Sequence, residues 1–226
     1  RHMTCCHVAA FDMARQGKTW VLTEYNAELQ EAGAYWFEEV DVSLWVSEVT
    51  PIRIYCDFRM HKAGTDVEIA RGSGQMCLIN LQTRRPEPTS AVAGQLPLVP
   101  EITTGSHRKQ RIPVGNNVIA TTQHTTNRLD LDFNGHVHNR CYLSIAMLTF
   151  PGDFLLTHAL TAIRIQWLHE TYLGDTLRCE QRDINGAPGE FVHALYRSDN
   201  TESTRIHTCW RPVAHVPDIA DVLVRE

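Results

Sequence analysis

Leu129-Asp-Leu-Asp-Phe-Asn-Gly-His-Val-His-Asn-Arg-Cys-Tyr142 runs without a break into Leu143-Ser-Ile-Ala-Met-Leu148. Two carboxylates (Asp130, Asp132), two amides (Asn134, Asn139) and two imidazoles (His136, His138) crowd around an Asn-Gly pair. A purely apolar helix face would have no use for them. The pattern reads as a polar loop feeding a helix over 139–150, with Asn139 as its N-cap and an apolar inner face. A helix start offers free N–H groups and the positive end of a dipole, which suits an oxyanion or a carbonyl oxygen.

Asp132, Asn134 and His136 fall at spacing two, which on an extended stretch puts all three on one side. Imidazole transfers protons near neutral pH, and an amide N–H can hold a developing oxyanion. A carboxylate there can orient either one, or act as base or nucleophile. The plainer reading of the same residues is a solvated Asx-turn loop capping the next helix. His136-x-His138 also invites a metal, with Asp130 or Asp132 beside it. No outside cluster clearly supplies a further ligand, so no metal and no cofactor are expected.

Downstream of the helix, Pro151-Gly152 is a break. Strands are expected over 160–169, 175–182, 190–198 and 203–210, with a turn at Asp183-Ile-Asn-Gly186. Upstream, 114–126 is a strand. The first part follows the same plan. Residues 5–16 are the tail of a helix stopped by Gly17, and strands follow over 20–29, 40–49, 52–60 and 67–80. Gly72 and Gly74 suggest a bulge or bend in the last of these. Pro86, Pro88, Pro97, Pro100 and Pro113 block both ladder and helix, so the stretch between the two parts reads as a linker. One helix and an antiparallel meander, twice over, make an α+β chain with an internal structural repeat.

Hydrophobic residues make up 43% of the 226, enough for packed cores, and the net charge of -5 argues against a nucleic-acid partner. No apolar run approaches the roughly 20 residues needed to cross a bilayer, and no signal-peptide pattern opens the chain. The seven cysteines are scattered, with no C-x-x-C pair. They read as reduced core residues, and a cytoplasmic location is expected.

The motif from Asp130 to Asn139, followed by Tyr142, resembles the catalytic loop of the acyl-ACP thioesterases. Ile163-Arg-Ile-Gln-Trp-Leu-His-Glu170-Thr-Tyr-Leu-Gly-Asp175 is similar to that family's strand that ends in Glu and continues to Gly-Asp. Gly17-Lys-Thr-Trp-Val-Leu22 is similar to its strand after the first helix. The resemblance implies a tandem (double) hotdog, each half a helix wrapped by an antiparallel β-sheet, the two side by side with a joint sheet. The N-terminal hotdog would span 1–84, apparently without its first strand. The linker would span 85–112, and the C-terminal hotdog 113–226 would carry the catalytic loop. The implied activity is thioester hydrolysis of acyl-ACP or acyl-CoA. Asp132, Asn134, His136 and Glu170 would be catalytic, and Asn139, Trp20 and Tyr142 would bind substrate.

Thr171 stands where many plant members carry Cys, so a Cys-His-Asn triad cannot operate here. His138 replaces the family's usual Asn. A non-catalytic module that binds an acyl chain or its carrier is the other reading. Arg84-Arg85 and Arg108-Lys109-Arg111 are candidate contacts for an acidic carrier protein, and a homodimer is allowed for.

Overall fold

The computed structural model describes residues 7–31, 33–34, 37–101 and 110–213. Cys5, Cys6, Trp36, Arg108 and Lys109, and the expectation about a first strand before residue 7, lie outside them. The chain divides into two compact units, 1–109 and 110–226.

In the first unit, helix α1 (Ala10–Arg15) is stopped where expected. Gly17 takes φ +70°, and its N–H donates to Ala14 O at 3.0 Å. Strands β1 (Lys18–Leu29), β2 (Val40–Val49), β3 (Ile54–Lys62) and β4 (Glu68–Asn80) pair antiparallel in the order β2-β3-β4-β1. Val8 and Met13, at the helix, bury against Val46, Ile54, Cys56 and Leu78 of the sheet. The ladder is regular at Gly72 and Gly74, and the irregularities lie in β1 between Leu22 and Glu24 and in β4 beside Ala70, where the pairing with β3 shifts between Met60 and His61. Gly72 has another reason to be glycine. A Cβ there would sit 2.2 Å from Asn26 O and 2.5 Å from the Phe58 ring. Phe58 fills that missing volume and stacks on Tyr25 with ring centroids 5.8 Å apart.

The described part of the proline-rich stretch is not a free tether. Pro86 bridges to Ile79 and Leu98 to Val46. Val92, on the short helix α2 (Ser90–Ala93), and Leu96 are buried in the core of the first unit. Its prolines do keep the segment out of the ladders, as expected. The apolar residues between them then bury because they have a sheet face within reach.

In the second unit, β5 (Val118–Thr125), β6 (His158–Trp167), β7 (Thr176–Asp183), β8 (Glu190–Tyr196) and β9 (Glu202–Pro212) pair antiparallel in the order β6-β9-β8-β7-β5. Helix α3 (Asn139–Met147) lies across β5, β7, β8 and β9. Its buried residues Cys141, Tyr142, Ile145 and Ala146 recur at one-turn spacing, which is why this stretch is helical and faces the sheet. The helix ends sooner than the expected 150. Phe150 then turns into an aromatic cluster with Phe154 of the short helix α4 (Phe154–Thr157), Phe191 and Trp210. No helix among the described residues is long and apolar enough to cross a membrane.

Candidate active site

The loop between β5 and α3 is folded by its own side chains. Asp132 Oδ1 accepts the backbone N–H of Asn134 at 2.8 Å and that of His136 at 3.2 Å. Its Oδ2 accepts from Asn134 Nδ2 at 3.3 Å. Backbone bonds close the same turn, Asp132 N to His136 O at 2.8 Å and Gly135 N to Asp132 O at 3.1 Å. Gly135 takes φ +78°, which glycine adopts without the Cβ penalty. The stretch is therefore a tight turn rather than the extended segment that spacing two suggests. Asp132 and Asn134 are brought together by the turn, and Asn134 is exposed.

His136 leaves the turn toward a second segment. Its Nε2 is 3.8 Å from Glu170 Oε2, and both side chains are partly exposed. Tyr172 completes the group. Its ring meets the imidazole edge-on at 5.1 Å, and its hydroxyl donates to Glu170 Oε2 at 2.8 Å. A bridge between His136 and Tyr172, with Val137 N donating to Thr171 O at 2.9 Å, fixes the two segments against each other. The 170–175 segment is held in turn by Asp175, whose Oδ2 accepts Tyr172 N at 2.9 Å, and by Thr126, whose hydroxyl donates to Tyr172 O at 2.6 Å. Tyr172 is the site residue that sequence reading did not single out. The signal was present in the turn chemistry of Tyr172-Leu-Gly-Asp175, where an Asp caps a backbone N–H three residues back.

The other candidates take supporting places. His138, not Asn139, is the N-cap of α3. It is extended at φ -63°, ψ 138°, and its Nδ1 accepts Arg140 N at 3.2 Å. Asn139 is the first helical residue and is half-buried. Tyr142 is buried at 2% exposure, and burial foremost pushes its hydroxyl above the ordinary tyrosine range. Trp20 belongs to the first unit, where its Nε1 donates to Val8 O at 2.7 Å and its ring packs on that core. Asp130 anchors the base of the loop. Its Oδ2 meets His124 Nε2 at 2.8 Å and accepts Asn127 N at 2.8 Å. Partial burial opposes its charge, but the Asn127 N–H and His124 outweigh it and hold the carboxyl below its usual range. Its backbone carbonyl accepts His138 N at 2.7 Å. Arg84, Arg85 and Arg111 are exposed.

The arrangement sets an imidazole beside a carboxylate and a tyrosine hydroxyl, with the Asp132–Asn134 turn preceding it, all from one unit. Residues 116–212, which hold all of it, match the family model for the acyl-ACP thioesterase C-terminal domain. The chain is 23% identical over 212 residues to a chloroplastic acyl-[acyl-carrier-protein] hydrolase of Cuphea viscosissima, covering 88% of this chain and 50% of that protein. It is 24% identical over 221 residues to a chloroplastic oleoyl-acyl carrier protein thioesterase of Arabidopsis thaliana, covering 85% and 60%. The chain thus spans about half the length of the curated relatives it matches. Among solved structures, an acyl-ACP thioesterase from Bacteroides thetaiotaomicron superposes with a TM-score of 0.81 at 20% identity, covering 93% of this chain and 84% of that one. A 12:0-ACP thioesterase from Umbellularia californica gives 0.77 at 20% identity, covering 89% and 78%. The fold is the α+β double hotdog.

Proposed function

We propose that the chain is a member of the acyl-ACP thioesterase family, on the match of residues 116–212 to that family's C-terminal domain, and that it hydrolyses acyl-ACP or acyl-CoA thioesters to the free carboxylic acid. The observation that carries the reading is His136 at 3.8 Å from Glu170, with Tyr172 donating to the same carboxylate oxygen. His136 takes a proton from water as the water oxygen attacks the thioester carbonyl carbon. Glu170 stabilises the imidazolium, and Tyr172 fixes Glu170. The amide of Asn134 is the group proposed to hold the developing oxyanion. When the C–S bond breaks, the imidazolium returns its proton to the leaving thiolate.

Direct attack by Asp132 is less favoured, because one of its oxygens already accepts two backbone N–H groups and the other an amide. Those bonds stabilise the charge that a nucleophile has to give up. Asn139, at the start of α3, is the proposed substrate contact within the second unit; Tyr142 is buried beneath that helix and Trp20 packs on the core of the first unit. The exposed Arg84, Arg85 and Arg111 are proposed to meet an acidic carrier protein. The five described cysteines are free thiols, which supports a reducing compartment such as the cytoplasm.

The test is thiol release from a panel of acyl-ACP and acyl-CoA substrates. In His136→Ala and Glu170→Gln, kcat should fall by roughly 10²–10⁴-fold, the usual range for losing a general acid–base group. Full activity in both variants overturns the site. Carrier binding without hydrolysis in the wild type leaves a non-catalytic acyl-carrier module.

A further inference from the structure

On the sheet of the second unit, away from the loop chemistry, three unlike donors converge. Glu190 on β8 pairs with Cys209 on β9, and Val192 pairs with His207, so Glu190, His207 and Cys209 share one face of the β8–β9 hairpin. His207 Nε2 lies 2.9 Å from Glu190 Oε2 and 3.8 Å from Cys209 Sγ. All three donor atoms lie within 4.8 Å of one another, and among the described residues this is the group of three that converges in this way. All three residues are partly buried on strands paired on both sides, so the set is held by the ladder and does not depend on a loop.

We propose that Glu190, His207 and Cys209 form a binding site for a thiophilic divalent cation of the Zn²⁺ class. Tetrahedral zinc takes a His nitrogen at about 2.0–2.1 Å and a Cys sulfur at about 2.3 Å, which sets those two donors roughly 3.6 Å apart. The observed separation needs only a small adjustment. The Cys209 thiol hydrogen-bonds to the Glu190 carboxylate, and one His207 ring nitrogen faces both of them. As a metal ligand its lone pair would serve a centre common to all three. A thiolate, a carboxylate and a neutral imidazole carry two negative charges, which match a divalent cation. Arg164, paired with His207 across β6–β9, places a positive charge nearby that favours the thiolate and is itself engaged with Gln110 O. Burial foremost, and then Glu190, push the Cys209 thiol up to about 11. Cys209 is therefore no nucleophile near neutral pH, and the entering metal has to displace its proton. Three protein ligands leave a fourth position for water.

The experiment is a titration of the full chain with Co²⁺, which reports a sulfur ligand through a thiolate-to-cobalt charge-transfer band. One equivalent should produce the band, and excess Zn²⁺ should abolish it. Cys209→Ser should lose the band although six other cysteines remain. His207→Ala removes a direct ligand and should weaken cobalt binding by at least the roughly 10–100-fold that losing an outer-shell partner costs. Glu190→Gln, the most conservative of the three, keeps the test open if Cys209→Ser does not fold, and it should weaken binding by at least about tenfold. No band in the wild type, an unchanged band in Cys209→Ser, or unchanged affinity in Glu190→Gln overturns the site.

Discussion

Both oxygens of Asp132 are taken up by the loop that carries it, and this separates two roles that the residue types alone leave open. If Asp132 builds the turn, Asp132→Asn keeps an oxygen to accept the Asn134 and His136 N–H groups. It should then lose less turnover than His136→Ala. A loss in Asp132→Asn as deep as in His136→Ala would move the first bond-forming step to the carboxylate. Tyr172 can be tested at the same scale. Tyr172→Phe keeps the ring against His136 and removes the bond to Glu170. If that bond positions Glu170, kcat should drop roughly tenfold or more, as misplacing a catalytic group does, at a temperature where the variant is still fully folded. An unchanged kcat would remove Tyr172 from the machinery. These residues differ in how readable they were. Asp132, Asn134 and His136 announce themselves by type and crowding. Tyr172 sits in a turn whose partner is a loop far away in the chain, and one sequence does not reveal that pairing.

At the scale of elements, the strands owe their register to packing that alternation only hints at. Gly72 lies in a strand that hydrophobic alternation marks well, but the reason for glycine is the Asn26 carbonyl on one neighbouring strand and the Phe58 ring on the other. Gly72→Ala should destabilise the protein by about 1–3 kcal/mol, the usual cost of overpacking a filled site. The check is the denaturant midpoint, and an unchanged midpoint would mean that both the ring and the β1 backbone at Asn26 give way freely. Helix α3 was readable because its apolar residues keep helical spacing. Its cap falls one residue before Asn139, the residue that type favours, at His138. The choice fell to the residue whose backbone remains extended, so that its side chain can reach back to a free N–H.

Across the molecule, one buried histidine couples the packing of α3, β8 and β9 to pH. His193 is fully buried. The Thr149 hydroxyl donates to Ala146 O at 2.7 Å and so accepts from His193 Nδ1 at 3.3 Å, which leaves Nε2 to accept from Thr208 at 3.2 Å. This network needs the neutral ring. Burial first, and then the His207 charge, lower its pKa to about 3. In the unfolded chain the ring protonates near the ordinary value of about 6.5. Its contribution to stability is therefore complete above about 6.5 and falls by up to about 1.4 kcal/mol per pH unit as pH drops toward 3. His193→Gln should flatten the acid limb of a plot of melting temperature against pH. An unchanged slope would place the acid sensitivity elsewhere. By itself the sequence determined the element types, the two-part plan and the chemical character of the loop, because periodicity, turn residues and residue type are local properties of a chain. Tertiary structure alone decided that the proline-rich stretch packs on the first unit, that His136 meets Glu170 and Tyr172, and that Glu190, His207 and Cys209 converge. Each depends on segments distant in sequence that become neighbours only when burial of apolar faces and strand pairing fix their register.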